Sequence, residues 1–141
     1  LNDRSVTDQI RSSTVTEKVS EVSAINVVRD SMVQIQREIA DNIDCVLEGR
    51  DIGTVVFPNA DFKFFLVAGL KIRALRRQKD LNKIGEKKTI DEIKTDIRLR
   101  DELDTNRDNS PLLKAKDAIE IDTGLLTVDE QIDKIVSIIK Q

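Results

Sequence analysis

A short apolar run that ends abruptly in charged residues is the feature that most constrains the fold. Residues 43–47 predict a buried β-strand, and Glu48, Gly49, Arg50 and Asp51 follow it directly. In open α/β sheets, ligands bind at the carboxyl ends of the strands. Glycine allows the backbone to approach a ligand closely, and the planar guanidinium of Arg50 suits phosphate. A ligand site and a solvated turn are both compatible with this segment taken alone.

Composition excludes several kinds of function. The 141 residues correspond to one domain, and 23 basic against 26 acidic residues give a net charge of only -3. Because the chain has no Trp or Tyr and only four Phe, it lacks the aromatic platforms typical of single-stranded nucleic-acid binding. It has no His and one Cys, Cys45, which we expect to be buried in the strand. We therefore expect neither a nucleic-acid polymer as partner nor a metal-ligating residue set.

Membrane and export signals are missing from the sequence. No apolar run approaches the roughly 20 residues that a membrane-spanning helix requires, and no signal peptide is visible. We expect a soluble, cytoplasmic protein without a membrane partner. Because the chain begins at Leu1 without an initiator Met, we also expect a segment to be missing upstream.

The first part of the chain predicts two helices, over residues 15–24 and 26–39, separated by a bend at Asn26. Ser20 and Arg29 are nine residues apart and would point to opposite sides of one straight helix. A bend at Asn26 turns both side chains toward a common space. Each of them, considered alone, is equally compatible with an ordinary surface position.

Ser/Thr-x-x-Glu sequences predict three helix starts, at Thr14, Thr89 and Thr127. We expect the helix after Thr127 to bury an apolar stripe formed by Ile132, Ile135, Val136 and Ile139. Residues 62–67 predict a strand covered on both faces, and residues 118–122 predict an edge strand. The order of these elements predicts an α/β fold with a parallel sheet and flanking helices.

The predicted helix over residues 70–81 has five cations within nine residues. A solvated basic face accounts for such a run in many proteins. Alternatively, Arg73, Arg76 and Arg77 form an anion clamp, and residues 82–88 serve as a mobile connector. The sequence leaves both interpretations open.

The predicted helix over residues 89–107 changes character midway. Isoleucines form its apolar stripe at first, and then Arg100, Asp104 and Arg107 continue on nearly the same side. Burying unpaired charge is costly, so these side chains must pair with each other or with a ligand. Arg100 and Asp104 are spaced for an ordinary salt bridge, but Arg107 adds positive charge that one aspartate does not balance. The stripe therefore predicts an anion-binding site.

These segments together resemble the bacterial cytidylate kinases, which are nucleoside monophosphate kinases of the P-loop class. The matching pieces occur in the family's order along essentially the whole chain: Asn2 to Arg11, Glu48 to Pro58, Arg76 and Arg77, Arg100 to Asp104 with Arg107, Ser110 to Leu112, and Asp117 with Ala118. The resemblance implies transfer of the γ-phosphoryl group of ATP to CMP or dCMP, with Mg²⁺ as cofactor. It also implies a monomer for the intact enzyme.

The resemblance assigns the nucleoside-binding residues one by one. Arg29 and Asp51 match the residues that read cytosine, because a carboxylate accepts from the exocyclic amino group and a guanidinium donates to ring acceptors. Ser20, Arg100 and Asp104 match the residues that hold the ribose hydroxyls. These five residues are expected to form a substrate-binding site.

The resemblance also assigns phosphate-binding residues. Arg50 and Arg107 match arginines that contact the phosphate of CMP. Arg73 and Arg77 lie where the family's lid places cations around the transferred phosphoryl group, where catalysis depends mainly on positioning and charge stabilisation. By this correspondence Arg73, Arg77 and Arg107 are the candidate catalytic residues.

The family likeness further implies a division of the chain. Residues 1–28 are expected to belong to the nucleoside monophosphate-binding region. Residues 29–141 are expected to form the kinase core, with a short lid around residues 73–88.

The sequence departs from the family in one respect. A phosphate-binding G-x-x-x-x-G-K-[ST] loop occurs nowhere in it. Because that loop follows the first strand of the family, we expect this chain to correspond to the C-terminal two-thirds, without the strand that lies between residues 43–47 and 62–67. We then expect weak nucleotide binding, no catalysis by these residues alone, and self-association through unpaired strand edges.

Two alternatives stay open. One is a catalytically inactive nucleotide-binding or structural fragment. The other is a kinase of the same class that has UMP or AMP as its acceptor.

Overall fold

The computed structural model describes residues 3–7 and 9–140, and Leu1, Asn2, Asp8 and Gln141 lie outside them. Two strands form a parallel sheet: β1 (Phe64–Val67) and β2 (Ile119–Asp122). The α-helices are α1 (Ser13–Ser23), α2 (Asn26–Ile39), α3 (Leu70–Lys83), α4 (Ile90–Asn106) and α5 (Val128–Ile139). A 3₁₀ turn (Gln9–Arg11) and a π-helical turn (Ile52–Val56) complete the described elements. The predicted α/β class with parallel strands is confirmed.

The helix starts follow local capping chemistry. At α4 and α5, Thr89 and Thr127 accept from the backbone N–H three residues on, and Glu92 and Glu130 accept in return from the threonine backbone. These two capping boxes are confirmed. The box predicted at Thr14 is wrong, because the serine two residues earlier caps α1 by accepting from the amide of Val15.

The buried core lies between α3 and α4. Ala74 and Leu81 from α3 meet Ile93 from α4, and all three are at most 2% exposed. Ile90 and Ile97 pack against them. The periodicity of apolar residues on α4 places this stripe against α3, and the polar continuation of the stripe therefore emerges beside the same packed pair.

The strand predicted for residues 43–47 is wrong. Residues 44–48 have no strand pairing within the described part of the chain, and Val46 is 99% exposed. Cys45, predicted to be buried, is exposed as well. A β-strand requires a hydrogen-bonded neighbour, and apolar sequence alone does not supply one.

The other apolar segments are also less covered than predicted. Leu66 in β1 is 52% exposed, so this strand is not buried on both faces. The stripe on α5 is not buried either: Ile132 is 52% and Ile139 is 44% exposed. The reason is that α5 has few contacts with other elements among the described residues.

Candidate functional site

Two buried carboxylates, Asp51 and Asp104, form the polar centre of the molecule. Their residues are 2% and 3% exposed. A carboxylate is stable at such depth only when it is paired and hydrogen-bonded, because burial removes its hydration. The side chains that pair with them come from α1, α2, α4 and the segment between α2 and β1.

Asp104 holds three elements together. The Ser20 hydroxyl donates to its Oδ1 atom over 3.2 Å, which ties α1 to α4. Arg50 donates from Nε to its Oδ2 atom over 2.9 Å. Arg100, one turn earlier on α4, has its Nε atom 3.7 Å from the same oxygen, an ion pair that is too long for a hydrogen bond. Residues far apart in sequence therefore share one carboxylate.

Asp51 is likewise held by two arginines. Arg29 on α2 donates from Nη2 to its Oδ2 atom. Arg107 has its Nη2 atom 3.9 Å from the other carboxylate oxygen. The bend between α1 and α2, which was predicted at Asn26, gives two separate helices, and both contribute to this region.

Arg107 is fixed from two further sides. Its Nε atom donates to the carbonyl of Ser110 over 2.6 Å, and its Nη1 atom donates to the hydroxyl of Ser23 over 3.4 Å. Ser110 has a φ of 54°, which is unusual for a residue with a side chain. This backbone conformation accompanies the turn of the chain that brings a carbonyl back to the guanidinium. Sequence reasoning did not identify Ser23 or Ser110.

We use the name carboxylate pocket for the group Ser20, Arg29, Arg50, Asp51, Arg100, Asp104 and Arg107. In it four guanidiniums surround two carboxylates, an excess of two positive charges. Three of the buried guanidinium nitrogens have no hydrogen-bond partner among the described residues: Arg29 Nε, Arg100 Nε and Arg107 Nη2.

Buried N–H groups without a hydrogen-bond acceptor and an excess of positive charge both favour an anionic ligand. Burial away from water, together with the nearby guanidinium of Arg50, lowers the pKa of Arg100. A buried donor without an acceptor costs free energy, and a dianionic phosphate supplies both acceptors and balancing charge. The arrangement is therefore chemically suited to a phosphorylated ligand.

The cations of α3 point to different partners. Arg73 makes a two-pronged ion pair with Asp101, with distances of 3.1 and 2.6 Å. Arg77 donates to Thr16 on α1 over 3.2 Å. The remaining member of the predicted clamp, Arg76, donates to the hydroxyl and carbonyl of Thr123 after β2. These three guanidiniums thus bond to three different partners, and the catalytic role of Arg73 and Arg77 stays a prediction.

The segment between α3 and α4 is attached to α1. Glu86 accepts from both the backbone amide and the hydroxyl of Ser13, and these donors lower the pKa of its carboxyl group. Lys88 lies 3.5 Å from Glu17 on α1 and 2.9 Å from Asp96 on α4. The basic helix and the segment that follows it therefore contact the same helix that contributes Ser20.

Arg37 is a further residue that sequence reasoning missed. It lies on α2 two turns beyond Arg29 and donates to the carbonyls of Val55 and Val56 over 2.7 and 2.9 Å. Its spacing of eight residues from Arg29 places it near the same side of the helix, a signal available in the sequence.

In the described ranges 3–7 and 9–140, no group of three or more acidic, His or Cys residues is arranged to hold a metal ion. None of the helices in these ranges is both long and apolar enough to span a membrane.

Comparison with known proteins gives one consistent result. The sequence model of the family described as cytidylate kinase matches residues 1–141. A cytidylate kinase of Cytophaga hutchinsonii is 49% identical over 138 residues, which cover 98% of this chain and 59% of the relative. A cytidylate kinase of Halalkalibacterium halodurans is 47% identical over 141 residues, covering all of this chain and 64% of the relative. The chain thus spans about three fifths of the length of these curated relatives.

Proposed function

Because this chain belongs to the cytidylate kinase family, we propose that it provides the acceptor-nucleotide site of a kinase that transfers the γ-phosphoryl group of ATP to CMP or dCMP. The observation that carries the proposal is the carboxylate pocket, in which an excess of positive charge and unpaired buried N–H donors surround two aspartates. A nucleoside monophosphate offers a phosphate for the cations and hydroxyl and amino groups for the carboxylates.

In this proposal the base binds to Asp51 and the ribose binds to Asp104. Asp51 accepts from the exocyclic amino group of cytosine, while Arg29, now paired with it, donates to the ring acceptors. Asp104 accepts from the ribose hydroxyls with the help of Ser20 and Arg100, whose polar atoms already lie 3.2 and 3.7 Å from its oxygens. These contacts hold the side chains near each other, which lowers the entropy cost of binding a nucleotide.

The phosphate uses the cations. Arg50 contacts Asp104, and Arg107 lies beside Asp51. Both bind the phosphate of CMP, because the parallel N–H donors of a guanidinium match the phosphate oxygens. Arg73 and Arg77 stabilise charge on the transferred phosphoryl group. In the described structure they are paired with Asp101 and Thr16, so this role requires α3 and the segment after it to change partners.

Membership of the family implies ATP as the phosphoryl donor and Mg²⁺ as the cofactor. The described residues offer no cluster of metal ligands, and no residue is assigned to Mg²⁺. The sequence has no G-x-x-x-x-G-K-[ST] pattern with which backbone amides and a lysine hold ATP phosphates. We therefore propose that these 141 residues alone bind nucleotide weakly and do not catalyse. Residues 1–28 would serve the acceptor nucleotide, and residues 29–141 the core with a lid around residues 73–88.

A chimera tests this proposal. The part of the Halalkalibacterium halodurans relative that precedes the match is joined in front of this chain, and CDP formation from CMP and ATP is measured. We expect turnover by the chimera and none by the 141 residues alone. A folded chimera that prefers UMP or AMP would refute the acceptor assignment, and turnover by the chain alone at ordinary kinase rates would refute its inactivity.

Asp51→Asn tests the reading of the base. In the chimera, the Asn side chain keeps one acceptor oxygen, which Arg29 holds, and turns an amide donor toward the cytosine amino group, so we expect the preference of kcat/KM for CMP over UMP to fall about a hundredfold. Arg98→Gln, at an exposed position on α4, is the control and should leave the preference unchanged. An unaltered preference in Asp51→Asn would show that Asp51 does not read the base.

A further inference from the structure

The π-helical turn Ile52–Val56 begins directly after Asp51 and is attached to α2 at both ends. At its start, the Asp51 carboxylate pairs with Arg29. At its end, Arg37 donates from Nη2 to the carbonyl of Val55 over 2.7 Å and from Nε to the carbonyl of Val56 over 2.9 Å. Two arginines of one helix therefore hold the two ends of a single short turn.

A turn of this kind needs outside support. Isolated π-helical turns are rare, and a single helical turn leaves its last carbonyls without donors from its own backbone. A cation at this end satisfies those carbonyls and complements their partial negative charge. Val56 is 1% exposed, so few donors other than Arg37 can reach its carbonyl from solvent.

The same turn is continuous with Asp51. The Asp51 carbonyl accepts from the amides of Thr54, Val55 and Val56 over 3.3, 2.8 and 3.3 Å. A shift of the residues that Arg37 holds is thereby transmitted to the backbone of Asp51. Because Asp51 is 2% exposed and faces Arg29, a small displacement changes the distance between the carboxylate and any base placed against it.

We propose that Arg37 is a positioning residue for nucleotide specificity: by holding the carbonyls of Val55 and Val56 it fixes the turn that sets the carboxylate of Asp51 against Arg29. This inference rests on the proposed function for the identity of the ligand. The attachment of the turn to α2 is independent of it. Arg37 does not touch the nucleotide and acts only through Asp51.

Hydrogen exchange in this chain tests the attachment. Arg37→Met keeps a side chain of similar length without donors, and we expect the amides of residues 54–57 to exchange about tenfold faster than in the parent chain. Arg37→Lys keeps the charge but offers a point donor in place of a fork, so intermediate exchange is expected. Arg98→Met is the matched control on α4. Exchange of residues 54–57 that is the same in Arg37→Met and Arg98→Met would overturn the inference.

Nucleotide titrations of the same variants test specificity. The ratio of the Kd values for UMP and CMP, measured by NMR on this chain, should fall about tenfold in Arg37→Met and partly recover in Arg37→Lys. A merely destabilised chain would lose folded protein and leave this ratio unchanged, and that result would overturn the positioning role. If the parent chain shows no preference for CMP, the proposed function fails, while the exchange measurement still decides whether Arg37 holds the turn.

Discussion

Helices α4 and α5 begin in the same way and reach opposite environments. Each starts with a threonine and a glutamate that satisfy each other's backbone amides, at Thr89 and at Thr127. Helix α4 then packs its isoleucines against α3 and presents Asp104 to the carboxylate pocket. Helix α5 leaves its isoleucines half exposed and has few contacts within the described residues.

The comparison of α4 with α5 shows which features depend on residues close in sequence and which depend on contacts with distant elements. A capping box depends on four consecutive residues, and it forms here at Thr89 and Thr127 but not at Thr14, where the preceding Ser12 caps the helix instead. Burial of a stripe depends on a partner surface, which α3 gives to α4 and which no described element gives to α5. The positions of Arg100 and Asp104 in the carboxylate pocket therefore depend on the packing of α4 against α3 and not on helix formation alone.

The largest expected effect is on the free energy of unfolding when an isoleucine is replaced on α4 or on α5. Ile93 on α4 is 1% exposed and Ile132 on α5 is 52% exposed. Replacement of Ile93 by Ala should lower the free energy of unfolding by about 3 kcal/mol, because it opens a cavity in the core. The same change at Ile132 should cost about 1 kcal/mol, because less apolar surface leaves water there on folding. Urea unfolding followed by circular dichroism measures both, and equal losses would contradict the comparison.

Self-association should depend on α5. Its exposed apolar stripe offers a surface to a second copy of the chain, and burying one isoleucine in a dimer would strengthen association. We expect sedimentation equilibrium to show self-association that Ile132→Lys weakens about tenfold, or about 1.4 kcal/mol. Leu99→Lys, at a 58% exposed position on α4, is the control. A parent chain that stays monomeric at high concentration would be evidence against this role of α5.

Removal of a capping box should have a smaller effect. In α4 it should destabilise the whole chain, and in α5 only the helix itself. Thr89→Ala should lower the global free energy of unfolding by about 1 kcal/mol, because α4 is part of the core. Thr127→Ala removes the same hydrogen bonds but should mainly speed amide exchange within α5, since that helix can open without disturbing the rest. Hydrogen exchange by mass spectrometry distinguishes the two. The comparison is wrong if Thr127→Ala speeds exchange in α3 and α4 as much as in α5.

The smallest expected effect is a lowered carboxyl pKa at each capping box, and here the two helices should behave alike. Hydrogen bonds from Thr89 lower the pKa of Glu92, and those from Thr127 lower the pKa of Glu130. Since the folded pKa values lie below the ordinary value of 4.5, each box stabilises the chain above that pH and loses its effect as the pH falls through the folded pKa. An NMR titration should give depressed values for both carboxyl groups. A depressed value at Glu92 alone would mean that capping here depends on tertiary packing.

Local signals in the sequence predicted the helices well. The bounds of α3 and α4, the separation of α1 from α2, and the boxes at Thr89 and Thr127 depend on residues close in sequence. The predictions of a strand at residues 43–47 and of a buried stripe on α5 were wrong, because both features depend on contacts with a distant surface.

The site was partly visible because charge interrupts an apolar pattern. The change from isoleucine to Arg100 and Asp104 on α4 indicated a polar centre from the sequence alone. The pairing of Asp51 with Arg29 joins segments 22 residues apart and was not predicted, although the family likeness assigned both residues to the same base. Ser110 and Arg37 received no site role, since one acts through a backbone carbonyl and the other binds backbone carbonyls, and neither a family match nor a spacing on a helix identifies backbone partners.

We propose that one anionic nucleotide contacts the arginines of the carboxylate pocket together. The most direct test is an NMR titration of the arginine Nε–H resonances with CMP in the chimera, because the 141 residues alone are proposed to bind nucleotide weakly. We predict that Arg29, Arg50, Arg100 and Arg107 shift along a single saturable curve while Arg98 does not move. Absence of a shift in these four at millimolar CMP, or shifts no larger than that of Arg98, would contradict the account.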